Sequence, residues 1–519
     1  MTGSGRSDPT DDTHSRRRFL AGTTLAALGV GAAGVATGDP GFDDPFALGV
    51  ASGDPQPESV VLWTRLAPEP LARAGGMADE SVPVEWRVAE DRGMEAVVAS
   101  GTALAEPGGA HAVHVVPEGL DPGTEYFYRF RAGGYDSPVG RTKTAPEPDE
   151  PLEQFTFAFA SCQAWTDGFY TAYRHMAAEE LDLVVHLGDY VYEYPVGPEG
   201  GVRGTATPPA YRTEARSLER YRRQYALYRS DPDLRAAHAS APWLVTRDDH
   251  EVDNNYAGDV PQDPDRQPPS TFRERRAAAY RAHYEHMPLR PADRPDGPDQ
   301  ELYRRYRFGE LVALDALDTR QYRSDQPCEG LVGDCRERLA ADRTILGTEQ
   351  REWLRDAVEE SETTWEAVAN QVPMASMDLE PGPGESFRLD QWDGYVDDRE
   401  AVTEAFAASA ATPVVVTGDV HRNWANEVRR DDETVAAEFV GSSISSGGDG
   451  YPTDPAGRFV VRENDNVHYY NAQRGYVRCR LTPESWTTDY RVVARVSDRG
   501  APVRTDRRFR VAAGSPGLD

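Results

Sequence analysis

The chain has 519 residues; 39% are hydrophobic and 28% charged, with nine tryptophans and 24 tyrosines. That apolar content supplies real cores and excludes a disordered polyelectrolyte. A net charge of −31, from 87 acidic residues against 56 basic ones, repels phosphate backbones and excludes a stable nucleic-acid complex.

Lys143 is the only lysine, so arginine carries nearly all the positive charge. A coding bias explains Arg over Lys but not the acidity. The two together read as a halophilic protein whose self-repulsion is screened by salt.

Residues 1–40 read as a targeting segment. Ser15-Arg16-Arg17-Arg18-Phe19-Leu20 precedes an uncharged, Ala- and Gly-rich run from Ala21 to Ala36. This is the pattern of a twin-arginine signal peptide, read by the twin-arginine export machinery. The run is too short and Gly-rich for a permanent membrane span. The expected location is secreted or at the cell surface.

From 44 to 146 short stretches alternate apolar and polar residues at period two. Ser59–Thr64, Val82–Val88 and Ala112–Val116 read as strands. Pro122-Gly123 followed by Tyr126, Tyr128 and Phe130 looks like the tyrosine corner of a fibronectin-III-like β-sandwich, a small N-terminal domain. Pro146–Pro151 reads as a linker.

Residues 152–500 change character. Phe155–Ala160, Leu181–Leu187, Leu244–Thr246, Leu311–Leu314 and Pro413–Thr417 are apolar runs of strands buried on both faces. Helical stretches separate several of them: Phe169–Glu180, Leu218–Arg229, Thr271–Glu285 and Gly347–Glu360. The alternation predicts an α/β catalytic domain with sheets covered by helices. Residues 501–519 read as a tail.

Four cysteines are too few for a disulfide-built scaffold. Cys328 and Cys335 lie in one polar segment and fit a loop-closing disulfide in an exported chain. A metal pair is the alternative, but no second Cys or His cluster lies nearby.

Polar residues of metal-ligand type follow the buried strands, at the strand ends where open α/β sheets carry sites. They are Ser161-Cys162-Gln163, Gly188-Asp189-Tyr190-Val191-Tyr192, Asp248-Asp249-His250-Glu251-Val252-Asp253-Asn254-Asn255, and Gly418-Asp419-Val420-His421. One such junction would mean little; four in order make a site.

These blocks resemble those of calcineurin-like metallophosphoesterases. Gly-Asp-x-x-Tyr is similar to purple acid phosphatases. Ala160-Ser161-Cys162, the Asp248–Asn255 block and Gly418–His421 resemble the alkaline phosphatase D (PhoD-like) family, as do the stretches Leu317–Arg323, Trp392–Tyr395 and Gln473–Tyr476. The resemblance runs from about Phe46 to Val493. It implies two sheets flanked by helices, and an alkaline phosphatase or phosphodiesterase acting on phosphate esters by attack of a metal-activated water. A binding protein on an inactive phosphoesterase scaffold is the competing reading, and an exported redox-iron oxidoreductase a third. The full set of ligand types argues against the second. The lack of a Cys cluster, haem motif or dinucleotide fingerprint argues against the third.

Roles follow from ligand type. Asp189 can bridge two metals; Tyr192 offers a phenolate to a trivalent iron and Cys162 a thiolate. His421 is a further ligand, and the resemblance implies iron (Fe3+) here. Asp249 and Asp419 supply oxygens for a second ion, which the resemblance implies is calcium (Ca2+). His250 is the candidate acid for the leaving oxygen. Arg320 and Arg323 are candidate phosphate clamps. Each has a plainer reading: Cys162 as an inert buried thiol, Tyr192 as core, the arginines as partners of surface acids. Two departures from the wider superfamily stand out. Cys162 replaces the usual Asp-x-His pair, and Asn370-Gln371 occupies a region where a lone metal His is usual. Both disfavour an iron–zinc site and suit iron–calcium.

Overall fold

The computed structural model describes residues 41–328 and 330–519; the twin-arginine segment expected at 1–40 lies outside them. Residues 41–519 form one compact unit.

Two sheets face each other. The first has nine strands, in the spatial order Val503–Ala512, Ser485–Val493, Gly475–Leu481, Phe155–Ala160, Leu183–His186, Pro242–Val245, Val50–Gln56, Ser59–Arg65 and Ala112–Val115. The second has seven: Arg304–Phe308, Val312–Ala316, Trp365–Ala369, Thr412–Thr417, Glu433–Val440, Asn423–Arg430 and Val467–Asn471. Parallel pairing runs through the middle of both.

The period-two rule of strands explains why these runs are apolar throughout. Phe157, Phe159, Leu183, Val185 and Leu244 point into the inter-sheet core against Leu314, Ala367, Val414 and Val416. Their neighbours Ala158, Ala160, Val184, Trp243 and Val245 face outward, under Leu218–Arg229, Pro232–His238 and Pro269–His286. On the far side Val368 and Val415 pack beneath Gly347–Glu359 and Val396–Ala408.

The N-terminal strands build a second, smaller sandwich. Val82–Ala89, Val97–Ala105, Glu125–Ala132, Tyr135–Asp136 and Gly140–Lys143 form a separate sheet. It shares a core of Val84, Val88, Tyr128 and Phe130 with Val50, Val60, Leu62 and Val113. The Tyr126 hydroxyl accepts the Asp121 N–H at 2.9 Å, tying the turn to its strand. One face of this sandwich is continuous with the large sheet, because Ser52 and Gly53 pair with Pro242 and Trp243. The stretch 501–519, expected as a tail, instead contributes the edge strand Val503–Ala512, whose Phe509 and Val511 alternate into the inter-sheet core. Among the described residues no helix is long and apolar enough to cross a membrane.

Candidate metal centre

Every ligand-type block sits at the carboxyl end of a parallel strand. Cys162 follows Phe155–Ala160, Asp189 follows Leu183–His186, and Asp249 and His250 follow Pro242–Val245. From the opposing sheet, Arg320 follows Val312–Ala316, and Asp419 and His421 follow Thr412–Thr417.

The chain turns sharply to aim these groups. Cys162, Asp189, Asp419 and His421 all have positive φ, at 57°, 57°, 67° and 53°. Side-chain-bearing residues enter this left-handed region at a cost of order 1 kcal/mol or more each, and such strain gathers at functional sites. Gly188 makes room for the Asp189 turn: at φ +107°, a Cβ on it would lie 2.5 Å from both the Asp248 backbone nitrogen and its Cβ.

The side chains converge as two overlapping groups. One ligand atom each from Cys162, Asp189 and His421 lies within 4.8 Å of the others, and so do atoms from Asp189, Asp249 and His250. Asp189 belongs to both, the arrangement of a bridging carboxylate. The Tyr192 hydroxyl donates to Asp189 Oδ2 at 2.9 Å and lies 3.2 Å from His421 Nε2. Asp419 stands beside these groups: its carbonyl is 3.8 Å from the Cys162 thiol, and its carboxylate accepts from Gln391 at 3.3 Å.

Electrostatics ask for cations here. Burial, with Asp249, Asp248 and Glu251 adding to it, pushes the Asp189 carboxyl well above its usual range against the pull of His250. Burial and Asp189 push the Cys162 thiol up, and burial and Asp189 do the same to Tyr192. Asp419 rises to about 6, chiefly through burial and against Arg320. Thiol, phenol and crowded carboxylates held this way fit a metal, whose charge favours their ionised forms. Burial would also raise Asp249, but Arg320 and His250 outweigh it and hold the carboxylate ionised. Burial lowers His421 to about 3, so its imidazole is a neutral ligand.

His250 is differently placed. Its Nδ1 pairs with Glu193 Oε2 at 2.8 Å, and its ring lies 4.1 Å from that of Tyr192. Burial opposes its charge, but Glu193, Asp249 and Asp189 outweigh burial and raise it well above the usual histidine range.

Arg320 reaches the site, 3.9 Å from the Asp249 carboxylate, but it and Arg323 are engaged by buried acids rather than free as phosphate clamps. Both side chains are wholly buried. Arg320 grips Asp248 at 2.5 Å and Asp390 at 2.9 Å, and Arg323 grips Asp390 at 3.0 Å. A guanidinium spent on two buried carboxylates is a brace for the ligand loop. Asn370 and Gln371 are likewise framework: Gln371 bonds the Leu317 carbonyl and Thr319, and Asn370 bonds Trp392 and the Val372 carbonyl. Asn254 and Asn255 give backbone N–H groups to Glu193 and Asp249 at 3.0 and 2.6 Å. Asp253 pairs with Arg275 at 3.0 Å. Cys328 and Cys335 form a disulfide, with sulfurs 2.14 Å apart.

Several working residues escape a sequence reading. Glu251 accepts backbone N–H groups from Asp189, Tyr190 and Asp248. Glu193 orients His250. Ser446 accepts the Ala164 N–H at 2.8 Å and fixes the Cys162 turn. Only the position of Glu193 and Glu251 next to ligand blocks hinted at them.

The profile of PhoD-like phosphatases matches residues 157–490, and that of their N-terminal domain matches residues 33–146. The chain belongs to the PhoD-like phosphatase family. Alkaline phosphatase D of Bacillus subtilis (strain 168) is 45% identical over 516 residues, covering 96% of this chain and 88% of that one. A solved PhoD structure superposes with a TM-score of 0.88 at 45% identity, over 92% of each chain. A purple acid phosphatase from yellow lupin (Lupinus luteus) seeds shares the fold at 12% identity, with a TM-score of 0.53 over 89% of this chain and 73% of that one. As a PhoD-like phosphatase the protein is a hydrolase of phosphoric esters, and the two overlapping ligand groups sit at strand ends of its two sheets.

Proposed function

We propose that the protein is an exported, metal-dependent alkaline phosphatase that hydrolyses phosphate monoesters, diesters or both. The observation that carries this is the convergence of Asp189 with Cys162 and His421 on one side and with Asp249 on the other. Cys162, Asp189, Tyr192 and His421 would hold iron, a hard and partly thiolate-bound site. Asp189, Asp249 and Asp419 would hold calcium through oxygens. A bound metal pair would supply Lewis acidity toward the phosphoryl oxygens and lower the pKa of the attacking water.

The chain's own residues do the rest. Glu193 fixes His250 through Nδ1, which leaves Nε2 as the proton-bearing nitrogen for the leaving oxygen. Against the effect of burial, the Glu193 carboxylate on Nδ1 raises His250 and favours the protonated ring that a proton donor needs. Arg320 neutralises Asp248 and Asp390 and so fixes Asp249 in its ligating posture. The Arg-Arg-Phe-Leu signal supports export by the twin-arginine route, with the mature enzyme secreted or at the cell surface.

Elemental analysis of the purified mature protein, run beside assays on a monoester and a diester, tests the proposal. Iron and calcium with turnover of either ester support it. A metal-replete protein inert toward both would favour the binding-protein reading.

A further inference from the structure

A cavity of about 220 Å³ opens beside the metal centre. At about 30 Å³ per water, it has room for several waters or an anionic group. Its walls include the ligand residues Asp419 and His421 on one side, and Asp390, Arg388 and Arg422 around the rest.

The charges on those walls do not cancel. Asp390 is already spent on Arg320 and Arg323, at 2.9 and 3.0 Å. Asp419 belongs to the ligand constellation. Arg388 is exposed and, among the described residues, makes no ion pair or side-chain hydrogen bond. Arg422 is half-buried; it donates to the Val420 carbonyl at 3.3 Å and bonds the Tyr470 hydroxyl, with Asp454 in its field. Among the described residues neither guanidinium closes an ion pair, although Asp419 lies in the field of Arg388 and Asp454 in that of Arg422. In a chain of net charge −31, a locally cationic mouth needs an anion to answer it.

The mouth is also a built feature. Arg388 belongs to a short ribbon in which it pairs with Val332, and the Leu389 N–H donates to the Leu331 carbonyl at 2.9 Å. The Cys328–Cys335 disulfide closes the loop that supplies Leu331 and Val332. The crosslink thus holds the ribbon over the cavity, with Leu331 and Arg388 on its wall.

We infer that Arg388 and Arg422 form a subsite for a second phosphate on the substrate, next to the one being hydrolysed. This inference rests on the phosphoesterase reading and deepens it. The preferred substrate class is a chain or small molecule with two neighbouring phosphates, rather than an ester with a single charged group. Guanidinium forks match phosphate oxygens, and the subsite acts by binding and orienting, without entering the chemistry.

The test uses the metal-replete mature protein and the p-nitrophenyl ester of thymidine 5′-phosphate, with and without a 3′-phosphate. The two differ by one phosphate, and nitrophenol release reads cleavage of the same bond in both. At low salt the wild type favours the 3′-phosphorylated ester in kcat/KM by about tenfold, roughly the worth of one charge-assisted contact. The preference lies mainly in KM. Arg388→Ala and Arg422→Ala each bring the ratio down toward one, and Arg388→Lys keeps part of it, while thermal midpoints confirm that all three fold. A wild-type ratio near one, or a ratio untouched in both alanine variants, overturns the inference. Cleavage of neither diester overturns the inference, and the phosphoesterase reading itself falls if p-nitrophenyl phosphate, a monoester, is inert as well.

Discussion

Glu251 accepts the backbone N–H of Asp189 at 3.1 Å on a carboxylate that also takes those of Tyr190 at 2.6 Å and Asp248 at 3.0 Å. One buried side chain therefore ties two strand-end loops together. Asp189 is held in its left-handed turn by this grip and by the space that Gly188 leaves. Glu251→Ala should strand three buried donors and cost about 2–4 kcal/mol of stability. It should also lower metal occupancy, because Asp189 loses its anchor. Glu251→Gln, which keeps two acceptor lone pairs, should fall between. Thermal unfolding and metal content measured on the three proteins check this; equal metal content in all of them would separate Glu251 from the site.

Tyr192 and Cys162 give a spectroscopic test. A phenolate on ferric iron absorbs visible light, so Tyr192→Phe should remove a charge-transfer band while leaving the far-ultraviolet circular dichroism unchanged. Cys162→Ser should lower iron occupancy, since a hydroxyl is a poorer ligand than a thiolate. Iron-loaded wild type without a visible band would contradict the tyrosinate, and unchanged iron in Cys162→Ser would return that thiol to the core.

His250 and Glu193 should separate by degree. His250→Ala is expected to lower kcat by about 10²–10⁴, the usual worth of a general acid. Glu193→Gln keeps a partner for Nδ1 but removes the charge that most raises His250, so the alkaline limb of the pH–rate profile should move to lower pH. A profile that stays in place would show that Glu193 only packs.

Salt should stabilise the fold. Dense carboxylates repel at 0.1 M, where the screening length is about 10 Å, and hardly at 1 M, where it is about 3 Å. Exposed Arg–carboxylate pairs such as Arg273–Asp259 weaken over the same range, but each is worth only about 0–1 kcal/mol. Thermal midpoints in KCl at fixed calcium should rise into the molar range. A flat or falling midpoint would leave the acidity as composition alone.

Much of this was legible in the sequence, and the losses have physical causes. Phe155–Ala160 and Leu218–Arg229 carry apolar patterns strong enough to set their own boundaries. The last third was harder to read. Strands such as Ser485–Val493 and Val503–Ala512 alternate with arginines and acids, so a sheet edge looks like a polar tail until its partners are known. The ligand blocks were visible because each packs its chemistry into a few consecutive residues after an apolar run. Arg320 and Arg323 misled because residue type does not reveal burial: the partners that hold them, Asp248 and Asp390, are about 70 residues away. Arg388 and Arg422 carried no motif, and only the cavity draws attention to them.

Chelation is the decisive test of metal chemistry at Asp189. The mature enzyme should lose phosphate-ester hydrolysis when its metals are stripped, with the loss confirmed by elemental analysis, and recover it when iron and calcium are restored. Full activity in demonstrably metal-free protein would contradict the account.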